Sequence, residues 1–386
     1  FGCTDPAAPG DDPWQSIALD ERIVHAYTDF GLRLFGSLAE AAPESNLFVS
    51  PTSAAFALAM TYNGAAGETR EAMARTLGIA GMSREEVNRA NREWLAALAN
   101  TGDRRVELAL ANSLWGRQDF PFHNAFFERT REFYSAEVRQ LPFDAAAVRA
   151  MNGWVSTQTR GKIDDIIEEI DPLAVLYLLN ALYFKGEWQY RFDPAETRNE
   201  PFLVPDGRRP IVPLMRQKVM LPYLRAEGFQ AVSLPYGSGR FSMVLVLPDE
   251  NSSLAAFYAR LTPERWNAWM DELRETEVQV FLPRFRLEWE KDLNDVLKAM
   301  GMGIAFTGAA DFSEMSPTDG LLIRKVKQKT FVEVNEQGTE AAAVTVVVIG
   351  RTSGPPTLRL DRPFFYAIRD NATGTLLFLG QVVNPS

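Results

Sequence analysis

The sequence predicts one large α+β domain, and three observations carry that prediction. Segments with helical and with strand periodicity are interleaved from about residue 20 to the end, with no linker or repeat between them. The 386 residues are 46% hydrophobic and 11% aromatic, enough for a sizeable core. The first third reads mostly as helix, whereas the middle third and the end are rich in strands. One body fits this mixture better than two small ones. Residues 1–14, with Asp5-Pro6-Ala7-Ala8-Pro9-Gly10-Asp11-Asp12-Pro13 at their centre, read as a flexible tether ahead of a domain over 15–386.

Within that domain, 17–41 places Ile23, Tyr27, Phe30 and Leu34 at helical spacing. Residues 51–62 form an apolar helix opened by Ser50-Pro51, a capping residue followed by a first-turn proline. Amphipathic helices follow at 68–77 and 84–98, then a strand over 106–115 and helices over 125–133 and 145–159. The apolar run 173–184 has Asn180 inside it and reads as a strand buried on both faces. Strands at 231–234 and 241–247 flank Gly237-Ser238-Gly239, a hairpin turn. A helix over 254–273, a strand over 278–282 and a helix over 291–300 come next. The chain closes on strands over 321–334, 364–369 and 376–382.

Composition excludes several functions. A net charge of −10 and a pI near 5.0 argue against nucleic acid or an anionic membrane as the main partner. The basic stretches Arg208-Arg209 and Arg324-Lys325-Val326-Lys327 are short, and the second alternates like a strand with one solvated face. The uncharged run 46–67 holds Ser50-Pro51 and Asn63, and reads as a strand end and a helix rather than a membrane span. The single cysteine, Cys3, rules out an intrachain disulfide. Phe1-Gly2-Cys3-Thr4 resembles the end of a bacterial lipoprotein signal, which would place a lipid on Cys3 and the protein in the cell envelope; a frayed terminus that happens to hold a cysteine reads equally well. Arginine far outnumbers lysine beside many alanines, a composition of GC-rich bacterial genomes.

Catalytic chemistry is sparse. The two histidines, His25 and His123, both fall in helical stretches, and His123 lies among phenylalanines, which favours packing or a helix end. No G-x-S-x-G, H-E-x-x-H, Walker A or CxxC pattern occurs. The acidic cluster Asp164, Asp165, Glu168, Glu169 and Asp171 lacks the spacing of a calcium loop and reads as a solvated helix end. The expectation is a protein that is not an enzyme and needs no cofactor or metal.

One segment is out of character. Residues 341–349 contain no charge, proline or glycine, a strand-pairing hazard if exposed. Gly350-Arg351-Thr352-Ser353-Gly354-Pro355-Pro356 follows as an extended stretch open to cleavage. Alternate residues Thr339, Ala341, Ala343, Thr345, Val347 and Ile349 are uncharged, while Glu340 falls on the opposite face. That uncharged face can enter a core without burying an unpaired charge. The apolar run taken alone reads as an ordinary buried strand; with the stretch that follows it, 338–356 reads as an exposed bait whose first part, 338–349, can become a strand.

The sequence around this segment resembles the serpin family. Glu336-Gln337-Gly338-Thr339-Glu340-Ala341-Ala342-Ala343 is similar to the family's hinge, and Phe331-Val332-Glu333-Val334-Asn335 precedes it. Asn46-Leu47-Phe48-Val49-Ser50-Pro51, Asn180-Ala181-Leu182-Tyr183-Phe184-Lys185-Gly186-Glu187-Trp188, Asp361-Arg362-Pro363-Phe364 and Gly380-Gln381-Val382-Val383-Asn384-Pro385 match other family motifs in order. The resemblance implies a single α+β domain with three sheets, about nine helices and an exposed reactive-centre loop. It implies a monomeric, secreted or envelope-bound inhibitor that traps serine proteases covalently after the cut loop inserts into the main sheet. The alternative is a non-inhibitory carrier, chaperone or storage protein of the same fold.

Motif matching also assigns roles. Counted from the hinge, the cut falls between Thr352 and Ser353, suiting elastase-like or subtilisin-like proteases; a one-residue slide makes Arg351 the bait for trypsin-like ones. Gly338, Thr339, Glu340, Ala341, Ala342 and Ala343 form the hinge. Trp188, with the charge pair Glu336 and Arg284, matches the point where insertion begins. Ser50, Ser53 and Asn180 match the polar cluster where the strands part, with Gln328 where the family often has a histidine.

Overall fold

The computed structural model describes residues 19–339 and 355–386. The tether, Cys3, the hinge residues Glu340, Ala341, Ala342 and Ala343, and the bait residues Arg351, Thr352 and Ser353 lie outside the described residues. Among those described there are nine α-helices and three sheets, the α+β class expected.

Helix ends follow the local chemistry. Asp20 caps Glu21–Ala41 by accepting from Arg22 N at 3.0 Å. Ser50 caps Pro51–Tyr62, and Ser83 with Glu86 forms a capping box on Arg84–Ala99. Pro51–Tyr62 is buried nearly all round, as its continuous apolar composition requires. It packs against strands Leu176–Glu187 and Leu376–Val382.

The largest sheet runs in the order Leu47–Val49, Leu376–Val382, Phe364–Asp370, Phe241–Pro248, Phe229–Tyr236, Ile211–Ala226, Arg274–Pro283 and Thr357–Arg359. Arg198–Pro201 pairs with Ile211–Ala226 beside this path. The second sheet orders Gly338–Thr339, Leu176–Glu187, Val106–Arg117 and Glu137–Leu141. The third is the antiparallel pair Phe285–Asp292 and Lys327–Val334. The main core gathers side chains from the central helices and the inner faces of the sheets. A second core, with Trp115, Met151, Trp154, Ile163, Ile166, Leu179 and Ala181, fills the space between helix Ala145–Gln158 and the outer face of the second sheet.

Several expectations need correction. The helix over 254–273 is two, Leu254–Tyr258 and Pro263–Glu272, because Thr262-Pro263 supplies a cap and a first-turn proline that start a new helix. The helix over 291–300 is only Asn294–Leu297 continued by a wider turn to Met302; Lys291 belongs to strand Phe285–Asp292. The strand over 321–334 begins at Lys327, so Arg324 and Lys325 precede it. The acidic residues 164–171 are not a helix end but an irregular segment after helix Ala145–Gln158. The 16-residue strand Ile211–Ala226 carries Pro213 and Pro222, which disguise it. His123, read as packed or at a helix end, takes the second place: it is the exposed N-cap of Asn124–Tyr134.

One buried ion pair ties the layers. Arg240 Nη2 lies 3.0 Å from Asp370 Oδ2, with both side chains essentially inaccessible. The same guanidinium donates to Ala97 O at 2.9 Å and to Asn100 O, fastening the C-terminal end of helix Arg84–Ala99 to the largest sheet. Arg240→Ala strands Asp370 as a buried, uncompensated charge. It should lower unfolding free energy by roughly 3–5 kcal/mol, read by denaturant or thermal unfolding.

Candidate functional site at the insertion slot

The site is built around two strand edges. Leu176–Glu187 pairs along its length with Val106–Arg117, from Leu176↔Gly116 to Gly186↔Val106. On its other edge, among the described residues, it pairs only with Gly338 (opposite Glu187) and Thr339 (opposite Gly186). Lys327–Val334 likewise pairs with Phe285–Asp292 on one side. Beyond its other side the chain reverses through Glu336 and Gln337, closed by a bridge between Asn335 and Gly338. A hairpin thus starts a strand between the two edges and leaves the described residues at Thr339.

The turn is tight. Gly338 adopts φ 136°, and a Cβ there would sit 2.2 Å from Gly186 O, so only glycine passes this close to the neighbouring backbone. Trp188 N donates to Gln337 O at 2.9 Å, and Trp188 Nε1 donates to Asn335 O at 2.9 Å. The Trp188 ring is buried and stacks on Tyr236 with centroids 4.4 Å apart.

Glu336 holds the turn from the other side. Arg284 Nε donates to its two carboxylate oxygens at 2.7 and 2.8 Å, Arg284 Nη2 lies 2.5 Å from Oε1, and Thr197 Oγ1 donates at 2.5 Å. Burial pushes this carboxyl pKa upward, but the bonds from Arg284 and Thr197 outweigh it and hold the group below its ordinary value.

Halfway down the edges, both strands are tied to the start of helix Pro51–Tyr62. Gln328 Nε2 donates to Ser50 O at 2.9 Å, and Ser50 N donates to Gln328 Oε1 at 2.9 Å. Ser50 Oγ donates to Leu377 O at 2.8 Å. Across the slot, Ser53 Oγ donates to Asn180 Oδ1, and Asn180 Nδ2 donates to Asn112 Oδ1 at 2.6 Å. The structure therefore brings Ser50, Ser53, Asn180 and Gln328 together, with the helix N-terminus as common anchor. No histidine is in this network.

Asn112, Thr330, Thr197 and Tyr236 also belong here, though sequence reasoning passed over them. Asn112 donates to Tyr134 O at 2.8 Å, and Thr330 Oγ1 donates to Phe48 O. Asn112 had a readable signal, a polar residue inside a strand-like apolar run. Thr197 and Tyr236 had none, because their proximity comes from chain crossings far apart in sequence. Beyond the undescribed segment the chain re-enters at Pro355-Pro356 and runs into Thr357–Arg359, paired parallel with Arg274–Pro283 of the largest sheet.

A segment joining the edge of one sheet to a strand of another, beside two strands secured to one helix end, is the architecture of the serpin class. A family model described as Serpin (serine protease inhibitor) matches residues 25–385, and the chain belongs to that family. It is 37% identical to human Serpin B8 over 92% of this chain and 97% of that protein. It is 37% identical to the pig (Sus scrofa) leukocyte elastase inhibitor over 95% of this chain and all of that one. Among solved structures, a thermophilic serpin named tengpin, in its native state, superposes with TM-score 0.85 at 34% identity, covering 95% of both chains. Thyroxine-binding globulin in complex with thyroxine superposes with TM-score 0.85 at 28% identity, over 94% of this chain and 99% of that one.

Because the Glu336 pKa is lowered by folding, its contribution to stability is present above the unfolded value of about 4.3 and is lost as pH falls through the folded one. Glu336→Gln should cost about 1–3 kcal/mol at neutral pH. It should also flatten the acid limb of the stability–pH curve below about pH 4.3, measured by urea unfolding at stepped pH.

Proposed function

We propose that this chain is a suicide inhibitor of serine proteases: the protease cuts its bait at Thr352–Ser353, is held as the acyl-enzyme, and is trapped when 338–349 inserts between Leu176–Glu187 and Lys327–Val334. The observation that carries this reading is the register Gly338↔Glu187 and Thr339↔Gly186. Continued, it sets Ala341 opposite Phe184, Ala343 opposite Leu182, Thr345 opposite Asn180, Val347 opposite Leu178 and Ile349 opposite Leu176. Segment 338–349 then matches the 12-residue strand residue for residue.

The other edge agrees. Extending the Asn335↔Gly338 bridge sets Thr339 opposite Val334, Ala341 opposite Val332, Ala343 opposite Thr330 and Thr345 opposite Gln328. Val334, Val332, Thr330 and Gln328 are the buried face of their strand. The uncharged face of the bait thus turns inward on both sides, with Thr345 meeting Asn180 and Gln328 together. On the outer face Glu340 falls between Lys185 on one edge and Glu333 on the other, an opposite and a like charge. Val344 and Val346 fall opposite Ala181 and Leu179, which line the second core.

A filled slot gains on the order of ten backbone hydrogen bonds, each ~1 kcal/mol net. Buried Val and Ile side chains add roughly 1.5–3 kcal/mol each. The uncut fold is then metastable and persists through its barrier. Cleavage matters because Thr357–Arg359 anchors the far end of the bait in another sheet.

The similarity to thyroxine-binding globulin supports a second reading, a carrier without inhibitory action. Incubation with subtilisin, elastase and trypsin, followed by a denaturing gel, separates the two. The inhibitor gives a covalent complex with at least one protease, and mass spectrometry of the released C-terminal peptide places the cut after Thr352 or, for a trypsin-like target, after Arg351. Plain cleavage by all three would refute the inhibitor for these proteases. Thr345→Arg, which drives a charge into the slot, should abolish the complex while leaving cleavage intact.

A further inference from the structure

A loop and a turn distant in sequence meet beside the start of the slot. Residues 100–105 follow helix Arg84–Ala99 and lead into strand Val106–Arg117, while Gly237-Ser238-Gly239 turns a hairpin of the largest sheet. Asp103 joins the two. Its Oδ1 accepts from Arg105 N at 2.8 Å, a local turn that aspartate makes readily. Its Oδ2 accepts from Ser238 N, 135 residues away. The loop is also fixed from within: Val106 N donates to Asp103 O at 3.2 Å, and Thr101 Oγ1 donates to Val106 O at 3.1 Å.

The same two segments hold the last residue of strand Leu176–Glu187. Glu187 N donates to Arg105 O at 3.0 Å, and Gly237 N donates to Glu187 O at 2.8 Å. The hydrogen bonds close a ring, from the Asp103 carboxylate to Arg105, on to Glu187, to Gly237-Ser238 and back. Gly237 has φ 54°, and a Cβ there would overlap Asp103 Oδ2, so the carboxylate and the turn fit only with glycine between them. The Asp103 side chain is 9% exposed, with Arg105 Nε 3.6 Å from Oδ1. Burial pushes its pKa upward, but the bonds from Arg105 and Ser238 outweigh this and hold it below the ordinary value.

We propose that Asp103 is a positioning residue for strand insertion, pinning the end of Leu176–Glu187 to the turn of the largest sheet so that the second sheet swings open about this point. The proposal rests on the insertion reading above. At the pinned end a strand already lies in the slot, because Gly338 pairs with Glu187 on one side and bridges Asn335 on the other. No widening is needed there. Farther down, the two edges must stand two strand spacings apart, about 9.5 Å, to accept a strand. Rotation about a fixed end supplies that spacing and leaves the register of Gly338 on Glu187 unchanged. With the pin removed the strand end can shift against the hairpin, and a one-residue slip turns every inserted side chain to the wrong face. Productive insertion then slows, while the bait is cut as before.

The test compares the unaltered full chain with Asp103→Asn and Asp103→Ala against a protease that the gel above shows to be trapped. Timed gels give the rate of bait cleavage and the ratio of molecules cut without trapping to molecules that trap. Asn keeps one acceptor oxygen and turns an NH2 toward the other N–H, so it breaks one bond, whereas Ala breaks both. The ratio should rise about fivefold for Asp103→Asn and further for Asp103→Ala, with the cleavage rate within about twofold of the unaltered chain. A residue that only held the fold together would lower the melting temperature and leave the ratio unmoved; that result, or a fall in the ratio, overturns the pin. Amide-resolved hydrogen exchange tests it without a variant: the Glu187 and Ser238 amides should stay protected in the uncut and the cleaved protein alike, and their loss of protection on cleavage overturns it. A cleaved chain that melts no higher than the uncut one instead overturns insertion itself, so the two failures are distinguishable.

Discussion

A strand edge carries a row of backbone donors and acceptors that must be satisfied, and most folds close or cover such edges. Here the long strand Leu176–Glu187 is paired along one side and, among the described residues, paired on the other only at Gly338 and Thr339. Everything of interest is arranged along that edge. The hairpin through Glu336 brings Gly338 and Thr339 onto it, the helix at Pro51 ties both strands, and the second core covers its outer face. In the proposed inhibitor the hydrogen bonds that an inserted strand forms along this edge supply the driving free energy. The contacts around the slot determine when it is released.

These contacts differ in physical kind, and the difference matters for timing. At the top, Trp188 and the Glu336–Arg284 pair combine aromatic burial with charge-assisted bonds. In the middle, neutral amides and hydroxyls exchange hydrogen bonds inside the core, where an unpaired group would be costly. On the outer face the contacts are half-exposed ion pairs, individually weak and screened by salt. In the proposed insertion a strand starting at Thr339 leaves the first of these and then runs along the other two together.

Much of this was legible in the sequence, for identifiable reasons. The hinge and the bait were read from a charge-free, small-residue run beside a Gly/Pro-rich stretch, and residues 340–354 of them lie outside those described. Ser50-Pro51 announced its helix start by cap chemistry. The hairpin at Gly237-Ser238-Gly239 was readable because both glycines take positive φ. Ile211–Ala226 was hidden by its two prolines, and 254–273 looked continuous because Thr262-Pro263 restarts a helix as readily as it ends one. Family motifs supplied Trp188, Arg284 and Gln328 as site candidates; composition alone could not have joined residues that meet only through the fold. The partnership of Asp171 with Arg324 shows the limit most plainly, since each residue alone reads as ordinary solvated charge.

Gln328 has a consequence for where such a protein can work. Its amide carries no proton to gain or lose across the range in which histidine switches, and its partner Ser50 and the neighbouring Ser53, Asn180 and Asn112 are equally indifferent. The middle fastening of the sheet therefore keeps one strength from mildly acidic to neutral surroundings. If the chain works as the proposed inhibitor, a sheet fastened this way stays equally ready through swings of acidity, and cleavage rather than the acidity of the medium decides when it changes.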